Sequence, residues 1–263
     1  MKVNRWTIGR RAVQLAVLTL LASPAFGWTL FEGTLDAASL GGILLSDPLA
    51  TLQVLLLTGS LATPLLIGCL TVLALYGLLG GRVFCGWVCP VGFLTDLVEP
   101  LARRSGRPIW ALNWKLVALV VMLGLTLLLG LPAFETLSPI GIGVRALTFG
   151  AGGGLVLLIL ILLVELLLVR RAWCRSLCPL GGLYSLLGRL SPVRVRYHAD
   201  RCTHCGACSR VCFVEEVLEP SLERGIGQVR DGDCSRCGAC VGVCPVQALD
   251  FTVCQPFTTR RIS

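Results

Sequence analysis

Eight cysteines near the C-terminus repeat one pattern. "CTHCGACSRVC" supplies Cys202, Cys205, Cys208 and Cys212, and "CSRCGACVGVCP" supplies Cys234, Cys237, Cys240 and Cys244, with Pro245 behind the last. The spacing is C-x2-C-x2-C-x3-C in both copies. Three thiolates in one tight loop hold three corners of an iron–sulfur cubane, and the fourth comes from the other motif. The expected ligand sets are therefore Cys202, Cys205, Cys208 and Cys244 for one [4Fe–4S] cluster, and Cys234, Cys237, Cys240 and Cys212 for a second. Gly206 and Gly238 are expected to let the backbone approach the sulfurs, so that N–H groups can donate to them. Structural zinc favours two well-separated cysteine pairs, which this compressed spacing does not offer. Disulfide scaffolds belong to small secreted domains. One departure stands: Cys212 is followed by Phe213 rather than proline, which removes no ligand. His198 and His204 read as surface or linker residues, and Cys69 and Cys254 as packing residues.

Two further thiol pairs lie upstream. "FCGWVCPVGFLTDL" (84–97) carries Cys85 and Cys89, and "WCRSLCPLGGLYSLL" (173–187) carries Cys174 and Cys178. Residues four apart share a helix face. The proline behind each pair opposes an unbroken helix, so each motif should sit on a turn that enters a new helix with Pro90 or Pro179 in its first turn. Three readings stay open. The four thiols converge on a third redox centre or metal, they cycle between dithiol and disulfide, or they are small residues packed at a crowded bend.

These residues need elements to hold them. The 263-residue chain is 55% hydrophobic and only 14% charged, with a mean hydropathy of +0.80. That balance points to a membrane protein. The net charge of +8 gathers at the ends of apolar segments instead of on one face, which argues for lipid head groups and against nucleic acid. Four stretches lack charge over lengths near a bilayer span: Ala12 to Leu30, Leu61 to Leu79, Leu116 to Phe134, and Ala146 to Val164 continuing to Val169. Lys2, Arg5, Arg10 and Arg11 precede the first, Arg82, Arg103, Arg104, Arg107 and Lys115 follow the second, and Arg170, Arg171, Arg175 and Arg189 follow the fourth. Both termini should therefore be cytoplasmic. A cleaved signal peptide over "RRAVQLAVLTLLASPAFG" is the rival reading of the first stretch. Glu165, near the end of the fourth, either serves a proton path or pairs with Arg170 or Arg171.

The expected fold class is membrane α-helical, four transmembrane helices with an internal two-fold repeat, plus a small α+β bacterial-type two-cluster ferredoxin domain. The boundary falls between 1–188 and 189–263, after which "VRVRYH" and "LDFTV" should pair as strands flanking the cluster motifs.

"SDPLATLQ", "FCGWVCP", "WCRSLCPLGGLYSLLG" and the doubled cysteine motif, in this order, resemble the NapH/MauN family of ferredoxin-type membrane proteins, with NapH the nearer branch. The resemblance covers nearly the whole chain. It implies a quinol dehydrogenase component in the bacterial inner membrane, working with iron–sulfur and cytochrome partner proteins and passing electrons toward a periplasmic nitrate reductase. The residues themselves imply an iron–sulfur electron carrier. The alternative function is a maturation factor or copper reductase that donates electrons for cofactor assembly.

Overall fold

The strands flanking the cysteine motifs pair with one another. Val193–Tyr197 runs antiparallel to Leu249–Val253, with Val193 opposite Val253, Val195 opposite Phe251 and Tyr197 opposite Leu249. A two-residue strand, Gln228–Val229, adds to the other edge of Val193–Tyr197. Alternation along Val193–Tyr197 sends Val195 and Tyr197 into a core with Val217, Leu218, Val229, Cys240 and Leu249. Cys202, Cys208, Cys212 and Cys234 pack against that core's edge. The apolar interior of this small domain thus ends where its thiols begin.

In this computed structural model, residues 4–23, 31–33, 37–60, 62–98, 114–142, 154–167, 171 and 173–253 are described. The chain falls into two compact units. One comprises Met1–Val13, Tyr76–Trp87 and Tyr184–Ser263, and the other Gln14–Leu75 and Val88–Leu183.

In the first unit the ferredoxin-type sheet is backed by pieces from elsewhere in the sequence. The Trp6 ring lies 4.9 Å from that of Phe251, and the Arg10 guanidinium sits 4.6 Å over the Phe213 ring. Tyr76, Phe84 and Tyr184 form a ring cluster with centroids 5.3 to 5.6 Å apart. Arg82 donates to the carboxylate of Asp233 at 3.2 Å, and both side chains are buried.

The second unit holds an antiparallel sheet of Phe31–Gly33, Ala37–Leu40 and Ile43–Ser46. The helix Pro48–Thr58 follows directly. Asp47 caps it by accepting from the Leu49 N–H at 2.9 Å, Pro48 occupies its first turn, and Gly59 closes it at φ 65°. Gln53, fully buried, donates to Thr126 Oγ1 at 2.6 Å and ties this helix to Trp114–Leu129. Arg171 forms a buried ion pair with Asp96.

The expectation of four transmembrane helices is corrected. Among the described residues no helix is long and apolar enough to cross a membrane. The helix Arg5–Ala22 has 18 residues but carries Arg5, Arg10 and Arg11. The other three are shorter: Thr63–Leu79 has 17, Trp114–Leu129 has 16 and Gly154–Leu167 has 14. At 1.5 Å per residue the longest of these covers about 26 Å, against about 30 Å of hydrocarbon. Backbone conformation sets two of the stops. Gly80 and Gly81 adopt φ 140° and 58° behind Leu79, and Gly130 adopts φ 66° two residues before Pro132. The expected second span also stops at Leu79, whereas the third is expected to reach Phe134 because uncharged sequence runs past Gly130. Parts of the first expected stretch (24–30) and of the fourth (146–153 and 168–169) lie outside the described residues.

Candidate metal centre

Both cysteine motifs fold the same way. Each begins as an open loop and then enters one turn of helix, Ala207–Val211 in the first and Ala239–Val243 in the second. Gly206 (φ 68°) and Gly238 (φ 73°) stand immediately before these turns, and the residue two before each, His204 (φ 52°) and Arg236 (φ 47°), is also left-handed. Cys212 and Cys244 leave the turns in extended conformation. The role of the glycines is therefore conformational. A Cβ on Gly206 would meet nothing within 4 Å, so its φ alone calls for glycine. At Gly238 a Cβ would also lie 2.6 Å from the Trp6 ring.

The exchange of the fourth cysteine is visible in two cavities. One, of about 210 Å³, is lined by Cys202, Cys205, Cys208 and Cys244, with Tyr197 and His204 beside them. The other is smaller and is lined by Cys212, Cys234, Cys237 and Cys240, with Asp233 and Arg236. Each cavity takes three thiols from one motif and one from the other. Four sulfurs arranged around a space, rather than meeting at a point, fit a cubane cluster, and thiolate is the donor such a cluster requires. None of the described cysteines is in a disulfide.

The environments of the two sets differ. Cys205 is exposed, and a hydrogen bond from the Ala207 N–H holds its thiol below the usual range. Burial pushes Cys208 and Cys234 up, and Cys240 well up, because an apolar surround disfavours thiolate. Metal binding at the buried set must therefore displace protons. Tyr197 is pushed up to about 12, by burial first and then by its hydrogen bond with Cys202. Other backbone N–H groups also reach sulfurs: His204 donates to Cys202 Sγ at 3.4 Å and Ala248 to Cys244 Sγ at 3.2 Å. The Cys212 thiol donates to the Val214 carbonyl at 3.1 Å, a contact that a metal-bound sulfur gives up.

The upstream thiols occupy the turns expected of them. Pro90 opens the helix Pro90–Val98 and Pro179 opens Pro179–Leu190. The Cys89 carbonyl accepts from the Phe93 N–H at 3.1 Å, and the Cys178 carbonyl from the Gly182 N–H at 3.1 Å. Cys174 lies on a single wide turn, Trp173–Leu177, and Gly181 N–H donates to Cys178 Sγ at 3.4 Å. Cys85 belongs to the first unit, on the helix Val83–Trp87, while Cys89, Cys174 and Cys178 belong to the second. Among the described residues no three His, Cys, Asp or Glu side chains form a site for a single metal ion. Glu165 falls on the helix Gly154–Leu167, but its side chain lies outside what the structure describes. Arg171, one of its two expected partners, pairs with Asp96, and Arg170 lies outside the described residues.

Sequence reasoning missed Arg82, Asp233 and Arg236. The first two are 151 positions apart, a separation no local pattern reveals. The signal for Arg236 was its place inside the second motif, where the first motif has His204. His198 is also more than a linker residue: its Nε2 lies 3.2 Å from Asp250 Oδ1, and Arg196 donates to both oxygens of Asp250 at 3.1 and 2.7 Å. Those contacts, Arg196 foremost, hold the Asp250 carboxyl below its usual range.

Comparison with known proteins agrees with the cavities. A family model described as a 4Fe-4S binding domain matches twice, over residues 61–108 and 151–198, once around each upstream thiol pair. A 4Fe-4S dicluster domain matches residues 194–245. The methylamine utilization ferredoxin-type protein MauN of Paracoccus denitrificans is 36% identical over 89% of this chain and 85% of its own length. MauN of Methylorubrum extorquens is 35% identical over 96% and 91%. The ferredoxin-type protein NapH of Escherichia coli is 36% identical over 82% and 77%. No solved structure matches.

Proposed function

Because this chain belongs to the NapH/MauN family of ferredoxin-type proteins, we propose that it takes electrons from a quinol at the cytoplasmic membrane and hands them to an iron–sulfur or cytochrome partner that feeds a periplasmic reductase. It is an iron–sulfur electron-transfer protein. The finer reading rests on one observation above others: eight cysteines line two cavities in two exchanged sets of four. Cys202, Cys205, Cys208 and Cys244 would hold one [4Fe–4S] cluster, and Cys212, Cys234, Cys237 and Cys240 the other. Each such cluster carries one electron at a time, so a pair matches the two electrons that a quinol gives up.

The remaining residues supply position and exposure. Cys205 is exposed, which offers a surface where a redox partner can come close to the first set. Cys237 and Cys240 are buried, which keeps water from the second. Side chains such as Leu128 (84% exposed), Val156 (70%) and Val120 (69%) turn apolar surface outward on Trp114–Leu129 and Gly154–Leu167. Such surface supports contact with lipid, the phase in which a quinol dissolves.

The test is quinol-driven bleaching of iron–sulfur absorbance in protein isolated without oxygen. Bleaching by a reduced quinone analogue is expected. Intact absorbance that dithionite bleaches and quinol does not would remove quinol as the donor.

A further inference from the structure

The two cysteine loops share a backbone and differ in where each carries its arginine: Arg210 in the first, near the exposed Cys205, and Arg236 in the second. At the third position of the first loop stands His204, exposed. At the same position of the second stands Arg236, 5% exposed, lining the cavity of Cys212, Cys234, Cys237 and Cys240. Its guanidinium is held by backbone carbonyls from four places. It donates to Val193 at 2.7 Å, Gly188 at 2.9 Å, Cys234 at 3.1 Å and also Gly80. Gly80 has no room for a side chain, because a Cβ there would collide with the arginine stem. Among the described residues the guanidinium meets these carbonyls and no carboxylate. The nearby Arg82 pairs with Asp233, and of the charges that act on the Cys234 thiol Arg236 is the cation, against the weaker opposing charge of the Asp231 carboxylate. Arginine keeps its proton even when buried.

We propose that Arg236 is the potential-setting residue of the buried centre, its fixed cation stabilising the reduced cluster against the burial that opposes it. This rests on the reading that Cys212, Cys234, Cys237 and Cys240 hold a [4Fe–4S] cluster. Reduction adds one negative charge to a cluster already ligated by four thiolates. Burial of Cys237 and Cys240 disfavours that added charge and lowers the potential, while a cation in the same low-dielectric setting raises it. The first centre needs no such residue, because Cys205 and His204 lie open to solvent. Arg236 thus brings the buried centre toward the exposed one, so that an electron can pass between them in either direction.

The experiment is a redox titration followed by electron paramagnetic resonance on the full chain, with iron and sulfide measured on each sample. Arg236→Met should lower one of two midpoints by roughly tenfold in electron distribution, about 59 mV for one electron, and leave the other in place. Arg236→Lys, which keeps the charge and cannot reproduce the four-way hydrogen bonding, should hold the wild-type midpoint. Asp233→Asn, which leaves the buried Arg82 charge uncompensated beside the same thiols, should raise the same midpoint. Full iron in Arg236→Met with both midpoints unmoved overturns the proposal, as does an Arg236→Lys midpoint that falls as far as that of Met. If Arg236→Met loses the buried cluster, Arg236→Gln, which keeps hydrogen-bond donors without the charge, decides, and an unmoved midpoint there overturns the proposal as well. A wild-type protein without iron would sink the cluster reading beneath it, an outcome separate from all of these.

Discussion

The indole Nε1 of Trp87 donates to the backbone carbonyl of Arg236 at 3.2 Å. The bond joins the helix that carries Cys85 to the loop between Cys234 and Cys237. Gly86, next to Trp87, lies so near Ser235 that an added Cβ would stand 3.4 Å from it. Trp87→Phe removes the donor and keeps the ring. A part-buried hydrogen bond of this kind contributes about 1 kcal/mol, so the loop should open about fivefold more often. Iron release to a chelator should accelerate by that factor for half of the iron and stay unchanged for the rest.

The exchange of fourth ligands makes a prediction that a sequential arrangement reverses. Cys244→Ser should weaken the cluster of Cys202, Cys205 and Cys208, although Cys244 lies in the other motif. Cys212→Ser should weaken the cluster of Cys234, Cys237 and Cys240. Combining Cys244→Ser with Cys205→Ser should cost no more iron than either alone, because both strike one site. Iron analysis of the four variants checks this: additive loss in the double variant would assign Cys244 to its own motif.

Two glycines in the first unit separate conformation from space. Gly206→Ala has open room but a left-handed backbone, and should cost about 1 kcal/mol. Gly232 is different, for a Cβ there would run into the Ser185 carbonyl oxygen, which is backbone and cannot swing aside. Gly232→Ala should cost about 3 kcal/mol. Thermal unfolding followed by circular dichroism should place the second variant well below the first.

The sequence announced the metal-binding half of the molecule and concealed what braces it. Cysteine spacing is local chemistry, so both loops, their helical turns and the pairing of "VRVRY" with "LDFTV" could be read from residues alone. Pro90 and Pro179 likewise marked helix starts by a local rule. The stop at Leu79 was legible, but the third helix was read on to Phe134 because no charge interrupts Leu129, Gly130 and Leu131, and the positive φ of Gly130 ends it. The sheet over 31–46 went unnoticed inside a stretch read as a loop between spans. Arg82 with Asp233, and Arg171 with Asp96, are contacts between distant segments that no short pattern encodes.

The Arg171–Asp96 pair gives a stability test in the second unit. Both side chains are almost fully buried, so removing one takes a buried counter-charge from the other. Asp96→Asn should destabilise by about 3 kcal/mol, and Asp96→Leu combined with Arg171→Met should recover most of that loss. A double variant no more stable than Asp96→Asn would mean that the pair does more than neutralise itself.

The central claim is that eight cysteines hold two iron–sulfur clusters, and it can be weighed directly. Protein isolated without oxygen should contain about eight irons and about eight acid-labile sulfides per chain. Zinc in place of iron, or a chain with neither iron nor sulfide, would contradict it.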